Sequence, residues 1–419
     1  MSSSSSDEES AADAIKNTVT LVDVVTVTNR VCERDRFIHV KDFNLSPYSS
    51  ERLGFFASHR QLTIKIRRNN NLQLEELSLF VKSLPHDCKQ QLDFVRKEGL
   101  FAEECNFYGS IAPEMLMNYK GERWSPHCYS VKLDCLVMDD MRFLGFRHAD
   151  FFDNSQLLMA ALAALARMHG CSIVAETRLS ESFERPLTMR ELYPNNFREK
   201  QFNRRAKLYR WFKSAVNVSC RLGKEFGHKI DKFPKVYERL LQLVRPSPRY
   251  RNTLCHNDLT AANVMFNESG DNAVLLDFQM VRYVPPATDV LQLLYLHTSR
   301  AFRKAHEKEL IKYYHSILVA TVNRTDQKDQ ADVPSLKEIL NSVSELRLFG
   351  VGLASLYLPM TLISPDLVDK QIEDEEAYEM FLLGDRIDLT RKSLQDDNYR
   401  AKVEDIISAF ADYAKKCDV

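Results

Sequence analysis

The chain has 419 residues, with 57 Lys and Arg against 58 Asp and Glu, for a net charge of −1. That length suits two or three compact units rather than one small core, and the charge balance gives no reason to expect nucleic acid as a partner. Only 12 residues are Gly, which excludes collagen-like and Gly-linker architectures. The nine Cys are odd in number, scattered, and contain no Cys-x-x-Cys pair, which argues against a disulfide framework or a zinc site and for a reducing, cytoplasmic setting.

Residues 1–14 are rich in Ser and acidic side chains and read as a disordered tail. They have no basic segment ahead of an apolar one, so they do not read as a signal peptide. From about residue 60, Leu62, Ile64 and Ile66 alternate with Thr63 and Lys65. After Asn69-Asn70-Asn71, Leu77, Leu79 and Val81 alternate with Ser78, Phe80 and Lys82. Two alternating runs around an Asn-rich turn predict an antiparallel hairpin. Phe101, Glu104, Cys105 and Tyr108 then follow a helical period, and a further strand is expected from Val131 to Met138, stopping at Asp139-Asp140. Leu158, Leu162 and Leu165 form a helical stripe that the sequence would end near Gly170, in the role of a C-cap. The longest apolar stretch, Leu157 to Ala166, is too short for a span of about 20 residues, so no membrane span is expected. Residues 180–250 read as helical and patchily basic. Asn263–Phe266 and Ala273–Phe278, joined by NESGDN, predict a second hairpin, and the remainder reads as helix. The expected fold is α+β in two lobes: a sheet-rich N-lobe over 15–140 and a helical C-lobe over 142–419.

The segment richest in chemistry is LCHNDLTAANVMF followed by LLDFQ. It holds His256, Asn257 and Asp258, then Asn263 five positions after that Asp, then Asp277 at the end of the second strand of the expected hairpin. A hairpin would carry Asn263 and Asp277 to one open end, with Asp258 on the loop before it. Three oxygen-bearing side chains at one edge suit a hard cation such as Mg²⁺, and phosphoryl transfer needs a base for the incoming hydroxyl plus ligands that hold metal against the phosphates. Asp and Asn beside short strands are also ordinary turn formers; it is the H-x-D-x-x-x-x-N spacing with a strand-terminal Asp-Phe that sets this segment apart. Lys82 shares a strand face with Phe80, and Glu104 lies within an apolar helical stripe. A buried carboxylate is costly unless paired. An ion pair with Lys82 meets that need, against the alternative in which both side chains reach water. Glu103 competes with Glu104 but falls off the stripe.

These segments resemble the insect ecdysteroid kinase-like (choline-kinase-like) family, within the aminoglycoside phosphotransferase group of the protein-kinase-like fold. The matching stretches are LSLFVKSLP at 77–85, ECNFY at 104–108, PHCY at 126–129, LVMDDM at 136–141, ARMHG at 166–170, LCHNDLTAANVMF at 254–266 and LLDFQMVRYVPPATDVLQLLY at 275–295. The resemblance implies a kinase that uses ATP and Mg²⁺ to phosphorylate a hydroxyl on a small molecule, by family analogy a steroid such as an ecdysteroid. It implies Asp258 as catalytic base, Asn263 and Asp277 as metal ligands, and Lys82 on the nucleotide phosphates with Glu104 holding it. A hinge at 136–141 (Val137, Met138, Asp139, Asp140, Met141) would meet adenine through its backbone. His256 and Asp289 would support the catalytic loop, and His169 reads as a satisfied core histidine. The pre-catalytic insertion over 180–250 would shape the acceptor pocket, where Tyr209, Trp211 and Phe212 are lining candidates that more often form core. Two departures stand out. Asn257 replaces a frequent Gly, and the phosphate-covering stretch SSERLGFFASH has one glycine, Gly54, where close backbone approach favours more. The second motivates an alternative, a catalytically silent pseudokinase that binds nucleotide or an apolar ligand. A protein kinase fits poorly: Gln279 follows Asp277-Phe278, and no Ala-Pro-Glu comes after it. The protein is expected to be a monomer.

Overall fold

The computed structural model describes residues 18–33, 38–49, 54, 56–68, 73–86, 88–369 and 375–418; the expected tail and the Asn69–Asn71 turn lie outside them. The chain forms two compact units. The smaller comprises Met1–Glu114, Ser125–Arg147 and Leu276–Gln279, and the larger comprises Met115–Trp124, His148–Leu275 and Met280–Val419. The division is therefore not a single cut. Four residues that follow the second hairpin pack with the smaller unit.

In the smaller unit, helix α1 (Leu21–Val31) starts at a capping box in which Thr20 and Asp23 satisfy each other's backbone N–H. Strands β1 (Ile38–Pro47), β2 (Ser58–Arg68), β3 (Glu75–Ser83), β4 (Cys128–Val131) and β5 (Cys135–Asp139) form one antiparallel sheet in the order β1-β2-β3-β5-β4. Leu62, Ile64 and Ile66 from β2, Leu79 and Val81 from β3, and Val137 from β5 bury their side chains against Val24 and Val27 of α1. Alternation places these residues on one face of the sheet. The strand expected over Val131–Met138 is instead the end of β4 and most of β5. Lys132 to Asp134 make a tight turn between them, closed by the Lys132 N–H to the Cys135 carbonyl, with Leu133 exposed at its tip. Helices α2 (Lys89–Glu98) and α3 (Leu100–Asn106) follow β3, and α3 runs into a wide turn over Phe107–Ile111.

The larger unit is built on helix α4 (Ser155–Ser182), capped by the Asn154 side chain. Gly170 does not end this helix. It lies in the middle, where α4 packs on helix α7 (Arg300–Asn323), and a Cβ there would come within 2.8 Å of Thr321 Cγ2. The glycine serves helix contact rather than termination. Helix α5 (Tyr209–Glu225) follows, then β6 (Thr253–Cys255), β7 (Val264–Phe266), β8 (Ala273–Leu275) and β9 (Arg282–Val284). β7 pairs with β8 in the expected hairpin, Val264 opposite Leu275, and β6 pairs with β9. The second hairpin strand stops at Leu275, so Asp277 lies two residues past it, at φ +67°. Helices α6 (Ala287–His297), α8 (Arg347–Thr361) and α9 (Asp397–Lys415) pack in sequence, α6 on α8 and α8 on α9. Among the described residues α4 is the one unbroken helix long and apolar enough to cross a membrane; 83% of its most apolar window is buried within the protein, the mark of a core helix.

Candidate active site

In the smaller unit, β3 and α3 carry opposite charges into a common interior. Lys82 Nζ lies 2.6 Å from Glu104 Oε2 and 3.0 Å from Asp277 Oδ1. Glu104 is buried because it shares a helix face with Phe101 and Cys105, both buried. Desolvation alone would push the Lys82 ammonium down; Asp277 and Glu104 outweigh it and hold the group protonated. Burial pushes the Glu104 carboxyl above the usual carboxylate range, against the pull of Lys82. One ammonium thus faces two carboxyl groups, and the cluster gains an excess of negative charge as Glu104 ionises. Asp277 Oδ2 accepts from Gln279 Nε2 at 3.2 Å. The next residue, Phe278, stacks on Phe107 with ring centroids 4.2 Å apart and meets Tyr108 edge-on. The wide turn after α3 therefore holds the Asp-Phe pair in place.

The hinge carboxylates are committed within this unit. Asp139 accepts from the His127 N–H and the Tyr129 hydroxyl, each at 2.8 Å. Asp140 accepts from Tyr48 at 2.6 Å, from Ser78 at 2.7 Å and from the Arg142 N–H at 3.0 Å. Val137, Met138 and Met141 of the expected hinge are buried, and both of its acids are already occupied within the unit. Of the phosphate-covering stretch, residues 50–53 and 55 lie outside the described residues. Gly54 has φ +74°, where glycine is favoured.

In the larger unit, the loop from Cys255 to Asn263 is pinned from several sides. Asp289, on α6, accepts from the backbone N–H groups of His256 (2.6 Å) and Asn257 (2.9 Å). His169 on α4 meets the same carboxylate at 3.2 Å and Tyr314 at 2.7 Å. Gln292 donates to the Asn257 carbonyl and accepts from the Leu259 N–H. The Asp258 N–H donates to His256 Nδ1, so His256 acts on the loop's conformation. Asn263 Nδ2 donates to the Asp258 carbonyl at 2.8 Å and to its Oδ2 at 2.9 Å. That orients the Asp258 carboxylate and leaves Asn263 Oδ1 with no hydrogen bond among the described residues, an oxygen donor of the kind a hard cation takes. His169, Cys255 and Asp289 bring three ligand-type atoms within 4.8 Å of one another, but His169 and Asp289 are spent on the loop.

The sequence does not single out Arg282, Glu199, Gln201 or Tyr357, and it marks Asn257 only as a replacement for Gly. Asn257 adopts φ +67°, which Asn tolerates best after Gly. Its side chain donates to the Met280 carbonyl and accepts from Arg282. Arg282, buried on β9, is held by both oxygens of Glu199 and by Gln201, which donates in turn to Tyr357. The available sign was an Arg inside the strand Arg282–Val284, since a buried charge requires partners. Trp211 and Phe212 are core: Trp211 packs on Tyr357 and Phe212 on Phe202, while Tyr209 is half-buried and stacks on Phe212.

The sequence pattern of the ecdysteroid kinase-like family matches residues 55–326. An uncharacterized kinase-like protein of Caenorhabditis elegans is 36% identical over 64 residues, 15% of this chain and 17% of that protein's length. A Plasmodium vivax ethanolamine kinase is similar in structure at 12% identity and TM-score 0.34, over 94% of this chain and 96% of that one. An aminoglycoside phosphotransferase solved with streptomycin and ATP is similar at 14% identity and TM-score 0.35, over 90% of this chain and 97% of that one.

Proposed function

The chain belongs to the ecdysteroid kinase-like family, and from that premise we propose that it is an ATP- and Mg²⁺-dependent small-molecule kinase acting on an alcohol hydroxyl, in the family's terms an ecdysteroid or a related small alcohol. The observation that carries the proposal is the buried Lys82 held between Glu104 and Asp277. A lysine so fixed is suited to nucleotide phosphates, and the surplus carboxylate charge beside it to a metal ion. In this reading Asn263 Oδ1 and the Asp277 carboxylate would hold the metal, and Mg²⁺ would neutralise charge on the phosphates. Asp258 accepts the proton of the acceptor hydroxyl. The acceptor oxygen forms a bond to the γ-phosphorus while the bond from that phosphorus to the bridging oxygen breaks, and ADP leaves with the electron pair. Asn263 keeps the Asp258 carboxylate aimed, and Asp289 keeps the loop in register. The nine cysteines, all free, accord with a reducing, cytoplasmic setting, and a monomer suffices for this chemistry.

The test is a thermal-shift series with ATP, with Mg²⁺ and with both, on the wild type and on Asp277→Ala. Ligand at about 100 times Kd stabilises by roughly 2.7 kcal/mol. A rise that requires both ligands in the wild type and disappears in Asp277→Ala is the expected result. No rise under any condition rejects the nucleotide site.

A further inference from the structure

The larger unit has an open cleft of about 830 Å³ between the segment ahead of α5, the stretch 238–246 and β9, a size that suits a small organic ligand. Its wall is unusually cationic. Arg190, Arg198, Arg204, Arg205, Arg245 and Arg282 line it, against two carboxylates, Glu199 and Glu238. Both acids are already engaged, Glu199 with Arg282 and Glu238 with Arg204. The side chains of Arg190, Arg198, Arg205 and Arg245 have no ion pair among the described residues. Phe197, Phe202 and Val244 give the remaining wall an apolar character. Arg190, Arg198, Arg205 and Arg245 are all exposed, so water screens part of their mutual repulsion, and together they give the cleft a positive potential. An oxyanion removes that repulsion, and the planar guanidinium fork matches sulfate, phosphate or carboxylate with paired hydrogen bonds.

The cleft is also tied to the chemistry. Arg282 lines it and donates to the side chain of Asn257, the residue immediately before Asp258. Arg282 is fixed there by Glu199, with Nη2 3.0 Å from Oε1, and by Phe202, whose ring centre lies 5.0 Å beneath the guanidinium. We propose that this cleft is the acceptor site and that its acceptor is an apolar alcohol already bearing an oxyanion. This deepens the kinase reading and rests on it. A neutral steroid would fill the apolar wall and leave the four guanidinium groups without a partner, so among small alcohols the cleft selects those that carry an oxyanion. The step is unchanged: the free hydroxyl of the anionic alcohol loses its proton to Asp258, gains the γ-phosphoryl group, and ADP is released.

The experiment uses the full chain and a matched pair of probes, estradiol and a monosulfate of estradiol that keeps one hydroxyl free, with inorganic sulfate as a third. Binding is followed by calorimetry at 150 mM salt and phosphorylation by mass spectrometry with ATP and Mg²⁺. The sulfate ester is expected to bind at least about tenfold more tightly than estradiol and to be phosphorylated with the lower KM. The double substitution Arg198→Ala with Arg205→Ala, on two exposed positions, removes that preference. A retained nucleotide-dependent rise in melting temperature reports that the variant is folded. Equal affinity for the two steroids, or a preference that survives the double substitution, overturns the proposal while a nucleotide response leaves the kinase reading standing. A sulfate ester that binds but is not phosphorylated, beside a neutral alcohol that is, overturns the assignment of the acceptor. Absence of both nucleotide response and phosphorylation of any probe rejects the kinase reading, and the acceptor role falls with it.

Discussion

The loop from Cys255 to Asn263 and the cluster around Lys82 are two ways of fixing polar side chains in a protein interior. The loop is held by saturation. Its backbone N–H groups and carbonyls are met by Asp289, Gln292 and His297, each from α6, so its shape is determined several times over. The Lys82 cluster is held by charge, and once Glu104 ionises its charges do not balance: one ammonium serves two carboxylates. A saturated network specifies geometry, whereas an unbalanced one stores affinity for whatever restores neutrality. The first suits a group that has to be aimed, and the second suits groups that have to bind.

The largest effect that separates the two regions is on turnover. Asp258→Asn removes the proposed base without disturbing the contacts that pin the loop, and is expected to lower kcat by about 10²–10⁴-fold. Melting temperature and the response to ATP with Mg²⁺ stay at wild-type values. A variant that lost the nucleotide response as well would erase the distinction between aiming and binding.

Asp289→Asn attacks the saturated side. The amide has one acceptor oxygen where the carboxylate has two, so one buried N–H of His256 or Asn257 is left unmet, at a cost of about 1–3 kcal/mol. The melting temperature should fall by roughly 2–5 °C, and kcat should fall with it.

The smallest effects are in the dependence of stability on pH, and the two regions have opposite signs. His297 is buried against Phe151, and its Nε2 donates to the Leu259 carbonyl at 2.8 Å. Burial lowers its pKa from 6.5 to about 4. A depressed folded-state pKa gives stability that is present above pH 6.5 and lost as pH falls toward 4. Glu104 has a raised pKa, chiefly from burial, so its contribution is full below the ordinary carboxylate pKa and declines as pH rises toward neutrality. Urea unfolding between pH 4 and 7.5 should show Glu104→Gln removing the decline toward neutral pH and His297→Gln removing the loss toward acid. Matching slopes in both variants would contradict the difference in sign.

Much of this was legible in the sequence because the informative residues lie close together in the chain or on one periodic face. Asp258, Asn263 and Asp277 fall within a short stretch, and the Lys82–Glu104 pair could be read from a strand face and a helical stripe. Arg282 with Glu199 could not: the partners are 83 positions apart, and Gln201 and Tyr357 are 156 apart. A bond between such distant residues imposes no local period. Gly170 reads in the sequence as a helix end, because Thr321, the side chain that requires it to be small, belongs to another helix. The turn at Lys132–Asp134 interrupted a run that composition alone made continuous.

One feature of the chain's course bears on how the protein is made. Lys82 and Asp277 are 195 positions apart, and the four residues that complete the smaller unit exist only once 279 of 419 residues have been synthesised. On a ribosome, where N-terminal segments begin to fold first, the sheet and Glu104 are available long before Asp277 and Phe278. The half-finished unit exposes the faces of Phe107 and Tyr108 that Phe278 later covers. A polypeptide that terminates at Arg147, however well its strands pair, lacks the last piece of its own interior. Translation speed through the stretch between Arg147 and Gln279 thus sets how long that gap stays open to chaperones.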